Sequence, residues 1–239
     1  MNLTENDIKL IKKFCVLNEE ELFHFLKHKC TELGYKEIYY KKDHYLYVKG
    51  DNKYPTLVAH LDTVRSVPLK NWDEFFYDRE ERVLWCPELA GFDDRAGVFA
   101  IYKILTDTQH RPSLLFTVGE EVGGVGVLQF AEDFQNKVKT KFFIELDRQG
   151  LFDSVYYNCK NPTFEKYINS YGFETAKGIF SDVYYLSPCF HIASVNLSIG
   201  YLDEHTFAER LYLDWFESTL YKVIKLLDEV DKVPYFLNF

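Results

Sequence analysis

The run TLVAHLD, residues 56–62, is uncharged through Ala59 and closes on a histidine and an aspartate. A strand with one wet face alternates apolar and polar residues. This one does not, so it reads as a strand covered on both faces. The pattern returns in SLLFTVGEE (113–121), KFFIELD (141–147) and ASVNLSIGYLDEH (193–205). Between these runs lie helical spacing over 94–107, a short helix from about Val125, and a helix opened by Asn161 and Pro162. Strands alternating with helices predict an α/β fold, a three-layer α-β-α sandwich around a mostly parallel central sheet.

Outward from the strands, Thr4 and Asp7 form a capping box for an opening helix. Asn18 caps a second, EEELFHFLKHKCTEL, which stops near Gly34. EIYYKKDHYLYVKG (37–50) reads as a hairpin and DSVYYNC (153–159) as a strand. A long amphipathic helix is expected from about Phe207 to Val230, with Thr206 and Glu209 as its capping box. No Pro/Gly/Ser linker, repeat or low-complexity tract divides the chain, so residues 1–239 are expected to form a single domain.

The composition excludes several classes. Of 239 residues, 47% are hydrophobic and 18% aromatic, which argues against disorder. A net charge of −9 leaves no excess cation for phosphates, so no nucleic-acid partner is expected. No apolar run reaches membrane-spanning length, and MNLTENDIKLIKKF is unlike a secretory signal. The five cysteines are scattered, odd in number and never in C-x-x-C, which fits reduced thiols in the cytoplasm.

Each apolar run ends in groups that bind metals: His60 and Asp62, Glu120 and Glu121, Asp147, and His205. Functional groups collect at the carboxyl ends of strands in open α/β sheets. Any one of these acids is explained as a solvated loop residue. Two histidines and a set of carboxylates, all so placed, are not. Imidazole with carboxylate suits zinc and its neighbours, whereas an all-oxygen set would suit magnesium or calcium. GFDDRAG (91–97) adds Asp93 and Asp94 side by side. Alone they read as acids at a helix start. Beside the other groups, Asp93 can bridge two cations that offset the crowded charge. Asp94 remains an alternative bridge and Glu145 an alternative to Asp147. His24 and His28 have i, i+4 spacing without a third ligand and read as an ordinary helix face. Glycines 119, 123, 124 and 126 precede no G-K-[ST], so they form no phosphate loop. They are expected to let the backbone pass close to the site and enter the next helix. DVYYL (182–186) could line a pocket.

In chain order, HLDTV (60–64), GFDDRAG, FTVGEEVGG (116–124), ELDRQG (145–150) and DEH (203–205) resemble the segments of the co-catalytic dinuclear zinc exopeptidases. That group contains peptidase T, the glutamate carboxypeptidases and the zinc aminopeptidases. The likeness runs from about Thr56 to Glu209. The opening helices are also similar, and FSD (180–182) is similar to a short segment before the last ligand in some members. The resemblance implies that His60, Asp93 and Asp147 hold one Zn2+ and that Asp93, Glu121 and His205 hold a second, with Co2+ or Mn2+ as substitutes. It implies that Asp62 hydrogen-bonds His60 and fixes its tautomer. Glu120 would be the general base toward a metal-bridging water and would return the proton to the leaving amine. It also implies a cis peptide bond between Asp93 and Asp94.

The activity so implied is that of an aminopeptidase on short peptides. The alternative is another zinc amide hydrolase: a dipeptidase, a carboxypeptidase or an N-acyl amino-acid hydrolase. A non-catalytic binding protein on the same fold is the reading from a different class, and the intact Glu120 and ligand set stand against it. Many relatives insert a lid or dimerisation domain between their last two ligands. Residues 148–204 read as strand, helix and strand needed by the core, so a monomer with an open, shallow site is expected. Arg148, beside a candidate ligand, could meet a substrate carboxylate or pair with an acid, and Arg65 is a second candidate for substrate contact.

Overall fold

A computed structural model describes residues 2–65, 69, 71–135 and 137–238. The chain opens with α1 (Glu5–Val16) and α2 (Glu19–Glu32), then β1 (Glu37–Lys41), β2 (Tyr45–Lys49) and β3 (Thr56–His60). Next come β4 (Phe76–Asp78), β5 (Val83–Trp85), α3 (Phe92–Asp107), β6 (Ser113–Thr117), α4 (Val125–Phe134) and β7 (Phe143–Arg148). The rest is β8 (Asp153–Val155), α5 (Pro162–Asn169), β9 (Glu174–Thr175), α6 (Val183–Phe190), β10 (Ser194–Ser198), β11 (Tyr201–Leu202), β12 (Arg210–Tyr212) and α7 (Leu213–Glu229). The expected capping boxes of α1 and α2 are both formed, Thr4 with Asp7 and Asn18 with Glu21. Asn161 caps α5, accepting from the backbone N–H groups of Thr163 and Phe164.

Eight strands form the main sheet in the order β1-β2-β6-β3-β7-β10-β8-β9. Its centre, β6-β3-β7-β10, is parallel throughout, and antiparallel pairs flank it through β2 and β8. The central strands are buried on both faces, as their unbroken apolar runs require. Leu57 and Ala59 of β3 join a core under α1, α3 and α7, while Val58 points to the other side and packs with Val127, Phe130 and Leu186 of α4 and α6. Leu114 and Phe116 of β6 divide from Leu115 in the same way. Burying a side chain of this size is worth about 1.5–3 kcal/mol, so the alternation fixes both layers and register. The result is the expected three-layer sandwich. Its parallel centre sends four carboxyl ends to one edge. No helix among the described residues is long and apolar enough to cross a membrane.

Three features depart from the sequence reading. The long last helix begins at Leu213, not near Phe207, because Arg210–Tyr212 is a strand paired with Val83–Trp85. Thr206 and Glu209 therefore cap nothing helical, and Thr206 Oγ1 accepts from the Ala208 N–H within a turn. Second, β11-β12-β5-β4 form a small antiparallel sheet that short strands had hidden. Third, DVYYL belongs to α6, which contains Pro188. The interval between Asp147 and His205 holds β8, α5, β9, α6, β10 and β11; β8, β9 and β10 belong to the main sheet and β11 to the small one.

Candidate metal centre

The carboxyl ends of β3, β6 and β7, the start of α3 and the loop after β11 bring Asp62, Asp93, Glu120, Glu121, Asp147, His60 and His205 to one place. His60 closes β3 and is 1% exposed. Its Nε2 lies 3.0 Å from Asp93 Oδ1 and 3.4 Å from Asp147 Oδ1. His205 Nε2 lies 3.1 Å from the other Asp93 oxygen, Oδ2, and 3.0 Å from Glu121 Oε1. Asp93 thus presents one oxygen to each imidazole. Donors at 2.0–2.1 Å from a tetrahedral zinc stand about 3.3 Å apart, so these spacings suit two neighbouring ions with Asp93 between them. Three groups of three, His60–Asp93–Asp147, Asp93–Glu121–His205 and His60–Glu120–Glu121, each gather ligand atoms within 4.8 Å of one another.

The alternatives left open by the sequence separate cleanly. Asp94, wholly buried, accepts the His60 backbone N–H at 3.1 Å and the Gly97 N–H at 3.0 Å, so it braces β3 against α3. A Cβ on Gly97 would come within 2.1 Å of the Leu146 carbonyl, which is why glycine closes that motif. The Asp93–Asp94 peptide bond is cis. Glu145 points away from the histidines: it accepts the backbone N–H groups of Asp182 and Val183, each at 3.2 Å, and the Ser181 hydroxyl. It serves as the N-terminal cap of α6, because the Asp182 carboxylate is engaged by Thr117 instead. Asp62 does two things. Its carbonyl oxygen meets His60 Nδ1 at 3.1 Å, with the carboxylate 3.5 Å away. The carboxylate also accepts the N–H groups of Glu120 and Glu121 at 3.3 and 3.1 Å, fixing the turn that splays those two side chains. Gly126 permits that turn, since a Cβ there would meet the His44 and Val118 carbonyls at 2.2 and 2.5 Å.

Two further groups were missed. Glu209, 2% exposed, accepts the Gly91 N–H at 2.7 Å and the Asp93 N–H at 2.9 Å. It grips the loop on both sides of Phe92 and ties the chain just after His205 to the chain that carries Asp93. Its Thr-x-x-Glu spacing mimics a capping box, which concealed this. Tyr201 donates its hydroxyl to Asp147, at 3.0 Å to the carbonyl and 3.2 Å to Oδ1. Nothing in the local sequence marks it.

Burial sets the electrostatics. It pushes the Glu120 carboxyl up to about 8, and Glu145, Asp93 and Glu121 add their charge, although His60 pulls the other way. Burial also drives Asp147 well above the usual carboxylate range, reinforced by Asp93 and Asp94. The hydrogen bond to Asp93 raises His205 to about 9, against its burial and with help from Glu121. Burial likewise opposes charge on His60, but Asp147, Asp62 and Asp93 outweigh it and hold the ring well above its ordinary value. Two imidazoles face more negative charge than they can balance.

The centre opens into a cleft of about 310 Å³. Arg148, Tyr157, Ile179, Phe180 and Glu204 join the ligand set as its walls, and neither Tyr184 nor Tyr185 does. Arg148 pairs with an acid, its Nε 3.2 Å from Asp153, and it also lines the cleft. Arg65 does not line this cleft. His24 and His28 sit on an exposed helix face, 3.9 and 3.3 Å from Glu20 and Glu32.

No protein-family model matches the sequence, and no curated protein matches it. Solved structures do match in fold. A tripeptidase from Staphylococcus aureus subsp. aureus Mu50 aligns at 13% identity over 97% of this chain and 100% of its own, with a TM-score of 0.75. The aminopeptidase PepT from Bacillus cereus aligns at 14% identity over 95% and 98%, with a TM-score of 0.72. The TET1 peptidase of Pyrococcus horikoshii, described as assembling into a tetrahedron or a large octahedral shell, aligns at 15% identity over 92% and 98%, with a TM-score of 0.64. At these identities the likeness is one of fold.

Proposed function

We propose that this protein is a dinuclear zinc exopeptidase, acting as an aminopeptidase on short peptides. The observation that carries the reading is Asp93, one carboxylate with its two oxygens facing two different imidazoles. In this reading His60, Asp93 and Asp147 hold one ion, and Asp93, Glu121 and His205 hold the other. The bound ions would supply an acidified water and a polarised scissile carbonyl. The folds shared with a tripeptidase and two other peptidases support peptides as the substrate class. The chain acts as one domain, and we take it as a cytoplasmic monomer. Light scattering tests that point, since a TET1 relative in fold assembles into large shells.

Glu120 is the general base. Its Oε2 stands 3.9 Å from His60 Nε2 on the cleft wall, and Asp62 fixes its backbone. It takes a proton from the attacking water as the oxygen bonds to the carbonyl carbon. It then delivers that proton to the amide nitrogen as the C–N bond breaks. Asp62 orients both His60 and Glu120, and Glu209 holds the Asp93 loop in register.

The test is hydrolysis of Leu-Gly-Gly and its amino-blocked and carboxyl-blocked forms by zinc-loaded protein. Glu120→Gln should lower kcat by about 10²–10⁴ with both ions retained, whereas Glu121→Gln should lose zinc. Loss of the amino-blocked substrate alone identifies an aminopeptidase. Full activity in Glu120→Gln would overturn the assigned base, and a zinc-loaded wild type that cleaves none of the three would overturn the enzymatic reading.

A further inference from the structure

A second cavity, about 380 Å³ and larger than the metal cleft, opens where α1 meets α2. Among the described residues it shares no wall with that cleft. Leu17, Phe23, Tyr40 and Val118 give it an apolar lining, and two guanidinium groups, Arg65 and Arg95, complete it. Arg95 is 2% exposed. Both arginines hold the end of α1: Arg95 Nη1 donates to the Phe14 carbonyl at 3.0 Å and Arg65 Nη2 to the Cys15 carbonyl at 2.5 Å, with Arg65 Nε also donating to Thr63 Oγ1 at 3.5 Å. Those carbonyls end α1, where cations are favoured.

That duty leaves charge unanswered. Among the described residues Arg95 Nε and Arg65 Nη1 are buried with no hydrogen-bond partner, and no carboxylate pairs with either guanidinium within 4.0 Å. The acids on the wall, Glu19, Glu20 and Asp43, are exposed at its rim. A buried guanidinium without an anion is costly, and a planar carboxylate matches its donors.

We propose that this cavity is a binding site for a small molecule with an apolar body and a carboxylate head. The head meets Arg95 and Arg65, and the body lies against Leu17, Phe23, Tyr40 and Val118. The site adjoins the catalytic loops in sequence: Thr63, also on its wall, follows Asp62; Val118 precedes the turn to Glu120; Arg95 follows Asp94.

Titration of the zinc-loaded full chain with sodium octanoate, read by methyl NMR on isotope-labelled Leu, Val and Ile, tests this directly. Saturable shifts are expected at Leu17 and Val118 and not at Ile179, which reports the metal cleft. Octanol, the neutral analogue, should bind at least about tenfold more weakly, a difference near 1.4 kcal/mol. Phe23→Glu, which puts a carboxylate in the apolar wall, should abolish the shifts. Arg95→Gln should weaken binding by a similar factor, with Arg65→Gln as the substitute where the Arg95 variant fails to fold. Shifts confined to Ile179, equal binding of octanol, or a Kd no better than about 10 mM would each overturn the proposal.

Discussion

At the seam of α1 and α3, Lys103 is 9% exposed and reaches Asp7 at 2.8 Å and Asp107 at 2.7 Å. At the carboxyl ends of β3, β6 and β7, Asp93, Glu120, Glu121 and Asp147 gather around two imidazoles. Among the described residues, no lysine or arginine pairs with any of those four acids within 4.0 Å. At the seam, burial tends to raise Asp7, but hydrogen bonds from Lys103 and Thr4 prevail and lower it. In the cleft burial prevails, and Glu120 rises to about 8. The seam carries its own cation, and the cleft leaves room for cations from outside. Buried acid without matched base marks a candidate functional site.

The largest expected effect tests the cleft's half of that contrast. Zinc at a hundredfold excess over its Kd should stabilise the folded chain by about 2.7 kcal/mol per ion. For a chain of this size that is roughly 5–10 °C in Tm per ion. Asp93→Asn should lose most of the shift in a thermal scan, while Asp7→Asn keeps it. An undiminished shift in Asp93→Asn would break the contrast.

Glu209 sharpens it. Glutamine offers one acceptor oxygen where glutamate offers two, so Glu209→Gln leaves a loop N–H unpaired at about 1–3 kcal/mol. The expected outcome in a zinc titration is an affinity at least about tenfold lower, with the circular dichroism spectrum of the wild type. Wild-type affinity and stability together would show that the Asp93 loop does not need its grip.

The smallest effect belongs to the seam. Asp7→Asn should cost about 1 kcal/mol, because Lys103, itself largely buried, keeps Asp107 at 2.7 Å as its partner. Asp7 titrates below its ordinary 3.8 when folded, so its contribution is complete above that pH and disappears as pH falls through the folded value. Lys103 titrates above its ordinary 10.5, so its contribution is complete below that pH and is lost as pH rises beyond it. Urea denaturation of wild type and variant should therefore differ by a constant amount across neutral pH and converge in acid. A difference that persists unchanged in acid would assign the loss to packing.

What the sequence revealed follows from the same physics. β3, β6, β7 and β10 were legible because both their faces are buried, which removes alternation. His60, Asp93, Glu121, Asp147 and His205 were legible because each lies at or just beyond a strand end or in a motif of known order. Glu209 was hidden because its partners lie more than a hundred residues away, at Gly91 and Asp93, while its local spacing imitates a helix cap. α6 was hidden because Glu145 of β7 caps it, a contact no local pattern can show. The small sheet escaped because its strands are two or three residues long.

The central claim is that Asp93 stands between two ions. Anomalous diffraction at the zinc edge from crystals of zinc-loaded protein tests it most directly. The account predicts two peaks about 3.5–4 Å apart, one against His60 and Asp147, the other against Glu121 and His205, with the Asp93 carboxylate spanning both. A single peak, or two that leave Asp93 unliganded, would contradict it.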